Sequence, residues 1–385
     1  MAERLKSFLL IVLFSIVPTL FVWLPFFLRV SEFWNIPLPQ TGMATIVANY
    51  DGPLYLVVAK TLYNVAAIKE NYQFALPVEY YAAHFPLFPA LIRLFSYIAG
   101  FPYAMLAVTI ASSVLATYFF HKLASDFVNK GDALWMTFIF SVLPARWLIV
   151  RSIGSPEPLF VAAFLASVYF FKNKKYLYAG LWGAVAQLTK SPAILLFGAY
   201  FLYLAVPKIK ELVTAKRKNL LKMFDFKPLP IFLIPLALIG IFGLYSVVYK
   251  DFFAYFHSGD NIHIFFPPFQ IFNYSAPWVG TFWLEEVIYI YLFGALGLSQ
   301  LIKQKENLMA WVVGVFFATT IFVSHRDLMR YMLPIVPFLL IAFREVLVKK
   351  EFKFIAIFLL IPVYLFSLAY ISQNVMPISD WRPFL

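Results

Sequence analysis

One acidic residue, Asp51, stands where the sequence offers the clearest opportunity for proton transfer. It lies in Tyr50-Asp51-Gly52-Pro53, in the first long connection after an apolar segment, with few other acids nearby in sequence. A carboxylate before Gly-Pro is typical of a helix N-cap, because it accepts hydrogen bonds from free N–H groups and proline has none to offer. A carboxylate can also take a proton from a hydroxyl group. The sequence therefore leaves two interpretations of Asp51 open, a helix cap and a catalytic base.

Two more helix starts combine an oxygen-bearing side chain with proline, namely Ser155-Pro156-Glu157 and Ser191-Pro192. Capping alone explains each of them, but three positive helix ends aimed at one face would also make a place for an anion. Lys190 supports an anion site at these helix starts, because a cation beside a helix N-terminus is unfavourable unless an anion is there too. We predict that Lys190 and Ser191 contact a lipid phosphate. The alternative is that Lys190 reaches lipid headgroups.

Glu157 and a late arginine pair are further candidates for substrate binding. Glu157 is stabilised by the dipole of its own helix, and it could also pair with Arg151 or Arg146. Arg326 and Arg330 are four residues apart, so on one helix they would share a face, with Tyr331 next to them. Two guanidinium groups suit a phosphate or diphosphate. Lipid headgroup contacts and a local Arg326–Asp327 pair are the alternative.

The histidines give little support for a metal site. His84, or Glu79 near it, could bind substrate or a metal, but the chain has no His-x-x-His or His-x-x-x-His spacing. His257 and His263 fall in a segment that we interpret as a flexible outer loop. No cofactor is indicated with certainty, and a divalent metal is a weakly supported option. With no cysteine in the chain, disulfides, thiolate catalysis and Cys-ligated metals are excluded.

Composition identifies the class of protein that must position these residues. The 385 residues are 62% hydrophobic and 13% charged, whereas soluble domains carry about 25% charged residues. Mean hydropathy is +0.80. Apolar runs of about 18 to 23 residues predict an all-α polytopic membrane protein. The net charge of +12 lies mostly in short loops between these runs, so we expect membrane lipids rather than nucleic acid as partners.

The apolar runs predict about 11 transmembrane helices in a single integral-membrane domain, 1–385. A first outer loop, 29–101, is expected to carry interfacial helices at Leu54–Ile68 and Leu87–Ala99, and a second large outer loop spans 250–280. The predicted spans are Ser7–Leu28, Tyr103–His121, Ala133–Val150, Pro156–Phe171, Tyr176–Leu188, Pro192–Val206, Leu229–Tyr249, Thr281–Ile302, Leu308–Val323, Tyr331–Phe343 and Phe354–Ile371.

Loop charges predict the orientation of these spans. With the N-terminus in the cytoplasm, the inner loops hold 20 of the 31 basic residues, including seven between Lys208 and Lys227. The C-terminus and both large loops then lie outside, as do the starts of the helices after Asp51, Ser155 and Ser191. The basic N-terminal run, Met1 to Leu28, has no convincing cleavage site, so we expect it to be retained as the first helix.

Four motifs resemble those of a known family. They occur in family order along nearly the whole chain: Tyr50-Asp51-Gly52, His84-Phe85-Pro86-Leu87-Phe88-Pro89, Ser155-Pro156-Glu157-Pro158-Leu159-Phe160 and Leu188-Thr189-Lys190-Ser191-Pro192. Together they resemble the GT-C class of integral-membrane glycosyltransferases, most closely the PIG-V-like mannosyltransferases. Arg330-Tyr331, followed by Pro334 and Pro337, also suits the class. The chain has Tyr50 where the family has Trp, and Lys190 where it has Arg.

The resemblance implies an inverting transfer of a sugar, mannose in this family, from a polyprenyl phosphate to an acceptor hydroxyl outside the membrane. It assigns the base to Asp51. The leaving phosphate needs positive charge, which Lys190, Arg326, Arg330 and the helix start at Ser191 could supply. The acceptor would be a glycolipid, a lipid-linked glycan or a protein. The membrane would be the plasma membrane in a prokaryote and the endoplasmic reticulum in a eukaryote.

Two other functions remain open from the sequence. One is a transporter or flippase of a lipid-linked anion, although such proteins often show internal repeats and none is evident here. The other is a non-catalytic scaffold, because of the replacements at Tyr50 and Lys190.

Overall fold

The computed structural model describes residues 2–72, 74, 76–215, 225–259, 263–276, 278 and 285–385. Within them the chain forms one small hairpin, β1 (Glu32–Phe33) and β2 (Ile36–Pro37), and a series of α-helices. The helices are α1 (Ala2–Phe27), α2 (Met43–Val47), α3 (Gly52–Thr61), α4 (Val65–Asn71), α5 (Leu87–Ala124), α6 (Lys130–Val142), α7 (Ala145–Ser152), α8 (Glu157–Lys172), α9 (Tyr176–Thr189), α10 (Ile194–Ala215), α11 (Leu233–Val248), α12 (Glu285–Lys303), α13 (Asn307–Thr320), α14 (Leu328–Met332), α15 (Val336–Ala342), α16 (Arg344–Leu347) and α17 (Lys350–Gln373).

The predicted all-α polytopic membrane fold is confirmed, whereas the predicted count of about 11 spans is not. In the described part of the chain, six helices are long and apolar enough to cross a membrane, or seven if the bent pair α6 and α7 is one span. Helices α8, α9 and α13 match predicted spans but have only 14 to 16 residues. The predicted start at Thr281 and part of the basic loop 208–227 fall outside the described residues.

Two predicted spans are broken in the structure. The span predicted at Ala133–Val150 is divided into α6 and α7, which are bent by 70°. Leu143 is extended (φ −119°, ψ 144°) because proline disfavours the helical conformation in the residue before it. The span predicted at Tyr331–Phe343 is likewise divided into α14 and α15.

The bend at Gly100 divides helix α5 into two parts, which correspond to the interfacial helix and the membrane span predicted from the sequence. Gly100 has φ 72° and ψ 162°, a conformation that glycine adopts without steric cost. The stretch before it presents Tyr97 and Ile98 almost fully exposed, with 82% and 85% of their surface accessible. These positions agree with the predicted boundary between an interfacial helix ending at Ala99 and a span beginning at Tyr103.

Helix α8 is the centre of the larger apolar core. Its residues from Glu157 to Val168 are all buried, and it packs between α5 and α9. A helix enclosed by other helices can be shorter than the roughly 20 residues needed to cross the bilayer in contact with lipid. Helix α8 has 16 residues. Its N-terminus therefore places Glu157 inside the protein rather than at the lipid surface.

A second core encloses the start of α3. Residues Leu54 to Ala59 are all buried, so this predicted interfacial helix is covered by protein. The segment after α17 runs alongside the preceding turn: the N–H of Met376 donates to the carbonyl of Ala48 at 2.8 Å. Asn49 Nδ2 also donates to the carbonyl of Ile371 at 2.8 Å. The backbone around Asp51 is thus fixed by residues more than 300 positions later in the chain.

A buried arginine joins three of the first seven helices. Arg151, at the end of α7, is fully buried and donates to the carbonyl of Ser141 in α6 at 2.6 Å. It also donates to the carbonyl and, at 2.8 Å, to the hydroxyl of Ser15 in α1. The expected pairing of Glu157 with Arg151 is wrong, because the guanidinium is used to hold these helix backbones together.

Candidate active site

Asp51 lies directly before α3, as predicted, but its side chain makes no capping hydrogen bond. The capping prediction also fails for Ser191, whose Oγ accepts from the hydroxyl of Tyr255 at 2.8 Å. Only Ser155 accepts from a free helix N–H, that of Glu157, at 3.3 Å. The Asp51 carboxylate is 38% exposed and so remains available to another molecule.

The charged residues predicted on one side of the membrane do meet at one end of the bundle. Glu157 Oε1 accepts from Lys190 Nζ at 2.5 Å and from Arg330 Nε at 2.7 Å. Arg330 also extends a terminal nitrogen to within 3.8 Å of Asp51 Oδ2. We call these four residues, Asp51, Glu157, Lys190 and Arg330, the charged cluster. It contains two acids and two cations and is electrically neutral overall.

Exposure separates the roles of the two acids. The Glu157 side chain is 3% exposed and is bonded to two cations, whereas Asp51 is 38% exposed and has one distant cation. A carboxylate that already binds two cations is a poor proton acceptor, because those cations favour its ionised form. Asp51 is therefore the accessible acid of the cluster, and Glu157 is the buried acid bonded to both Lys190 and Arg330.

A second group of buried polar residues orients Tyr50, the neighbour of Asp51. The Tyr50 hydroxyl donates to Asp327 Oδ2 at 2.8 Å. Arg146 contacts both partners, with Nε 2.8 Å from Asp327 Oδ1 and a terminal nitrogen 3.1 Å from the Tyr50 hydroxyl. Arg330 lies over the Tyr50 ring, 4.4 Å from its centroid. We call Tyr50, Arg146 and Asp327 the Tyr50 triad.

The Tyr50 triad accounts for an unusual backbone conformation. Tyr50 has φ +50°, in the left-handed region that non-glycine residues seldom adopt. Such strain persists only where the surroundings enforce it, and here a buried ion pair holds the ring. The predicted alternatives need correction. Arg146 pairs with Asp327 rather than with Glu157, and Asp327 does not pair with Arg326.

Arg326 and Arg330 do not share a helix face, contrary to the prediction. Helix α14 begins only at Leu328, so Arg326 lies outside the helix and the four-residue spacing does not place it on the same face as Arg330. The segment before α14 instead runs beside the second outer loop, where Ser324 N donates to the carbonyl of His263 at 2.8 Å. Arg330 consequently joins the charged cluster, and Arg326 lines a separate cavity.

His84 is close to Asp51 in the fold but is enclosed. It is 3% exposed, its ring lies 4.7 Å from the ring of Tyr55, and its carbonyl accepts from the Tyr63 hydroxyl at 2.6 Å. Burial lowers the pKa of His84, so the imidazole is neutral at neutral pH. Among the residues that the structure describes, no three His, Cys, Asp or Glu side chains form a group that could hold a metal ion.

Tyr331 is the last of the predicted residues, and it lies between the charged cluster and the Arg326 cavity. Its ring centroid is 5.5 Å from that of His325 and 6.2 Å from that of His263. Its neighbour along α14 is Arg330. Neither the pairing of Arg146 with Asp327 nor the bond from the Tyr50 hydroxyl to Asp327 was predicted from the sequence. The sequence signal was that Arg146 and Asp327 each lie beside an apolar stretch, because a charged residue near a membrane usually has a function or a partner of opposite charge.

The charged cluster combines two cations with a partly exposed carboxylate. Lys190 and Arg330 are largely buried, and Asp51, 3.8 Å from Arg330, is 38% exposed. Anions are bound more strongly at such cations than in water, because the surrounding protein screens the charges less. This combination suits a reaction in which a phosphate leaves while a hydroxyl loses its proton.

No protein-family model and no curated protein matches the chain by sequence. Among solved structures, the chain is similar to the crystal structure of ArnT from Cupriavidus metallidurans bound to undecaprenyl phosphate. The TM-score is 0.57 and the sequence identity 14%, over 91% of this chain and 62% of that one. The chain thus spans about three fifths of the length of this structural neighbour. The chain accordingly shares the fold of this structural neighbour.

Proposed function

We propose that the chain is an inverting glycosyltransferase that moves a sugar from a polyprenyl phosphate to an acceptor hydroxyl on the extracytoplasmic face. The observation that carries the proposal is the accessible Asp51 carboxylate beside Arg330, with Lys190 and Arg330 joined through one oxygen of Glu157. The GT-C fold and the undecaprenyl phosphate bound to ArnT support a lipid-linked donor. The four sequence motifs lead us to propose mannose as the sugar and a PIG-V-like enzyme.

The chemistry follows from where charge moves. Asp51 takes the proton of the acceptor hydroxyl while that oxygen forms a bond to the anomeric carbon. The bond between this carbon and the phosphate oxygen breaks, and its electron pair leaves with the phosphate. One unit of negative charge therefore passes from Asp51 to the phosphate. Lys190 and Arg330 stabilise the phosphate, which is where this charge develops. Direct displacement inverts the configuration at the anomeric carbon.

Glu157 and the Tyr50 triad act as positioning residues in this proposal. Glu157 fixes the two cations before substrate arrives, so that they do not need to reorganise during the reaction. The Tyr50 triad holds the ring on which Arg330 lies and thereby sets the position of the Arg330 guanidinium. Neither group contacts the reacting atoms directly.

The experiment is an Asp51→Asn substitution in the purified protein. We expect transfer from polyprenyl-phosphate mannose to acceptors in a membrane extract to fall at least about 100-fold, because a general base contributes about 10²- to 10⁴-fold. Binding of the lipid-linked donor should be retained, since Lys190 and Arg330 are unchanged. The matched control is Asp380→Asn, at an exposed aspartate that pairs with Arg382, two residues later in the chain. Transfer by Asp51→Asn at the wild-type rate would refute Asp51 as the base.

A further inference from the structure

A cavity of about 580 Å³ is lined by residues outside the charged cluster. It is formed by the second outer loop and by the segment before α14. Side chains of several chemical kinds line it, among them His263, Gln270, Asn273, Trp278, His325 and Arg326. The proposed transfer uses none of these residues.

The cavity has a fixed framework. The loop and the segment before α14 pair in antiparallel fashion through Ile264 and Val323. Ser324 Oγ donates to the carbonyl of Gln270 at 3.1 Å, and Trp278 Nε1 donates to the carbonyl of Ile271 at 3.1 Å. Ile271 is itself buried against Val323 in a small apolar core. Two of the lining side chains, Ser324 and Trp278, are therefore held by backbone carbonyls before any ligand binds.

The lining combines the groups that recognise carbohydrate. The carboxamides of Gln270 and Asn273 orient each other, because Asn273 Nδ2 donates to Gln270 Oε1 at 3.4 Å, and the indole of Trp278 adds an aromatic ring to the lining. His325 Nδ1 accepts from the N–H of Asp327 at 3.0 Å, so the proton of the neutral ring is on Nε2. Burial, together with the neighbouring His263, lowers the pKa of His325 to about 4, which keeps the ring neutral at pH 7.

Among the described residues that line the cavity, Arg326 is exposed and no carboxylate occurs. The guanidinium of Arg326 can bind a phosphate or carboxylate group of a ligand through two hydrogen bonds. Arg326 thus adds an anion-binding group to a surface that otherwise suits neutral hydroxyls.

The position of the cavity indicates which substrate it receives. One side chain, Tyr331, packs against His325 and follows Arg330 directly in α14. A molecule bound in the cavity is therefore beside the charged cluster without occupying its cations, which the donor phosphate needs. We infer that the cavity binds the acceptor, and that this acceptor carries an anionic carbohydrate. The inference rests on the proposed function.

The test measures binding of the full chain in lipid nanodiscs to an array of immobilised neutral, phosphorylated and uronic-acid oligosaccharides. We expect the wild-type protein to bind anionic members above neutral ones. Arg326→Gln should weaken that preference about tenfold, which corresponds to about 1.4 kcal/mol. Asn273→Ala should weaken binding to anionic and neutral members alike. Both residues are exposed, but Asn273→Ala also removes the hydrogen bonds that Asn273 Oδ1 accepts from Ser275, so Arg326→Gln is the deciding variant. The control is Arg382→Gln, an exposed arginine outside the cavity.

Each outcome decides the inference. A wild-type protein that binds no anionic oligosaccharide would overturn it, as would an Arg326→Gln variant that binds as tightly as wild type. Lipid-linked and protein-linked glycans are distinguished by comparing arrays with and without a diphosphate-lipid anchor. Donor binding and transfer by Asp51→Asn report separately on the proposed function, because Asp51 does not line the cavity.

Discussion

At the scale of single residues, the two carboxylates of the charged cluster differ in burial and in the partners they bind. Glu157 is buried and bonded to Lys190 and Arg330, and Asp51 is accessible. The sequence places both acids before or within the first turn of a helix, and it does not distinguish them further. What separates them is the chain around them, since Glu157 lies in the enclosed helix α8, whereas the side chain of Asp51, just before α3, is 38% exposed.

The Tyr50 hydroxyl offers a test of positioning at this scale. We expect Tyr50→Phe to lower kcat and the free energy of unfolding while leaving KM for the donor nearly unchanged. The ring under Arg330 remains, but Asp327 loses a hydrogen bond, which is worth about 1.5–3 kcal/mol when one partner is charged. Steady-state kinetics and thermal unfolding measure the two effects.

A matched control is Tyr364→Phe. This variant loses an exposed hydrogen bond to the carbonyl of Phe21 at 3.1 Å and should change kcat little. Equal effects of the two substitutions on kcat would show that Tyr50 has no positioning role. A rise in donor KM without a change in kcat would instead place Tyr50 in ground-state binding.

At the scale of elements, the turn that carries Asp51 is shaped by close backbone packing. A Cβ atom on Gly52 would lie 2.3 Å from the carbonyl oxygen of Val47, which is backbone and cannot turn aside. We therefore expect Gly52→Ala to lower the unfolding temperature and to reduce transfer by displacing Asp51. In Gly198→Ala, within α10, the new Cβ meets open space.

The control should behave oppositely. Alanine is favoured over glycine inside a helix by up to about 1 kcal/mol, so Gly198→Ala should raise the unfolding temperature or leave it unchanged. Differential scanning calorimetry on both variants gives the comparison. If Gly52→Ala is as stable and as active as wild type, the turn is not constrained in the way that this packing indicates.

The elements show where sequence patterns were sufficient. Apolar runs located most helices within a few residues, because hydrophobic periodicity and length are local properties. The loop charges predicted Glu157, Lys190 and Arg330 on one side of the membrane, but not the ion pairs that join them. The pairing of Arg146 with Asp327 could not be predicted, because it joins residues 181 positions apart whose contact depends on the bend between α6 and α7. Arg326 was wrongly predicted to share a face with Arg330, because residues four positions apart share a face only when both are in one helix.

At the scale of the whole molecule, the orientation in the membrane is a prediction from loop charges. Because the chain has no cysteine, single-cysteine variants report directly on each side. We expect a membrane-impermeant maleimide to label Tyr274→Cys in intact cells, because Tyr274 is 91% exposed in the second outer loop. Asn173→Cys, at an exposed inner turn, should be labelled only after permeabilisation. The reverse pattern would invert the topology, and labelling of both from outside would contradict the predicted arrangement.

The buried Arg151 has a consequence for how the chain is made. A guanidinium alone in lipid is costly, and in the folded protein it is satisfied by Ser15 of α1 and Ser141 of α6. During synthesis, α7 emerges when α1 and α6 are already present. Arg151 can therefore exchange water for these partners only if α1 has stayed near the insertion site until then. Substitutions at Ser15 should accordingly reduce the yield of inserted protein more than the turnover of molecules that have folded.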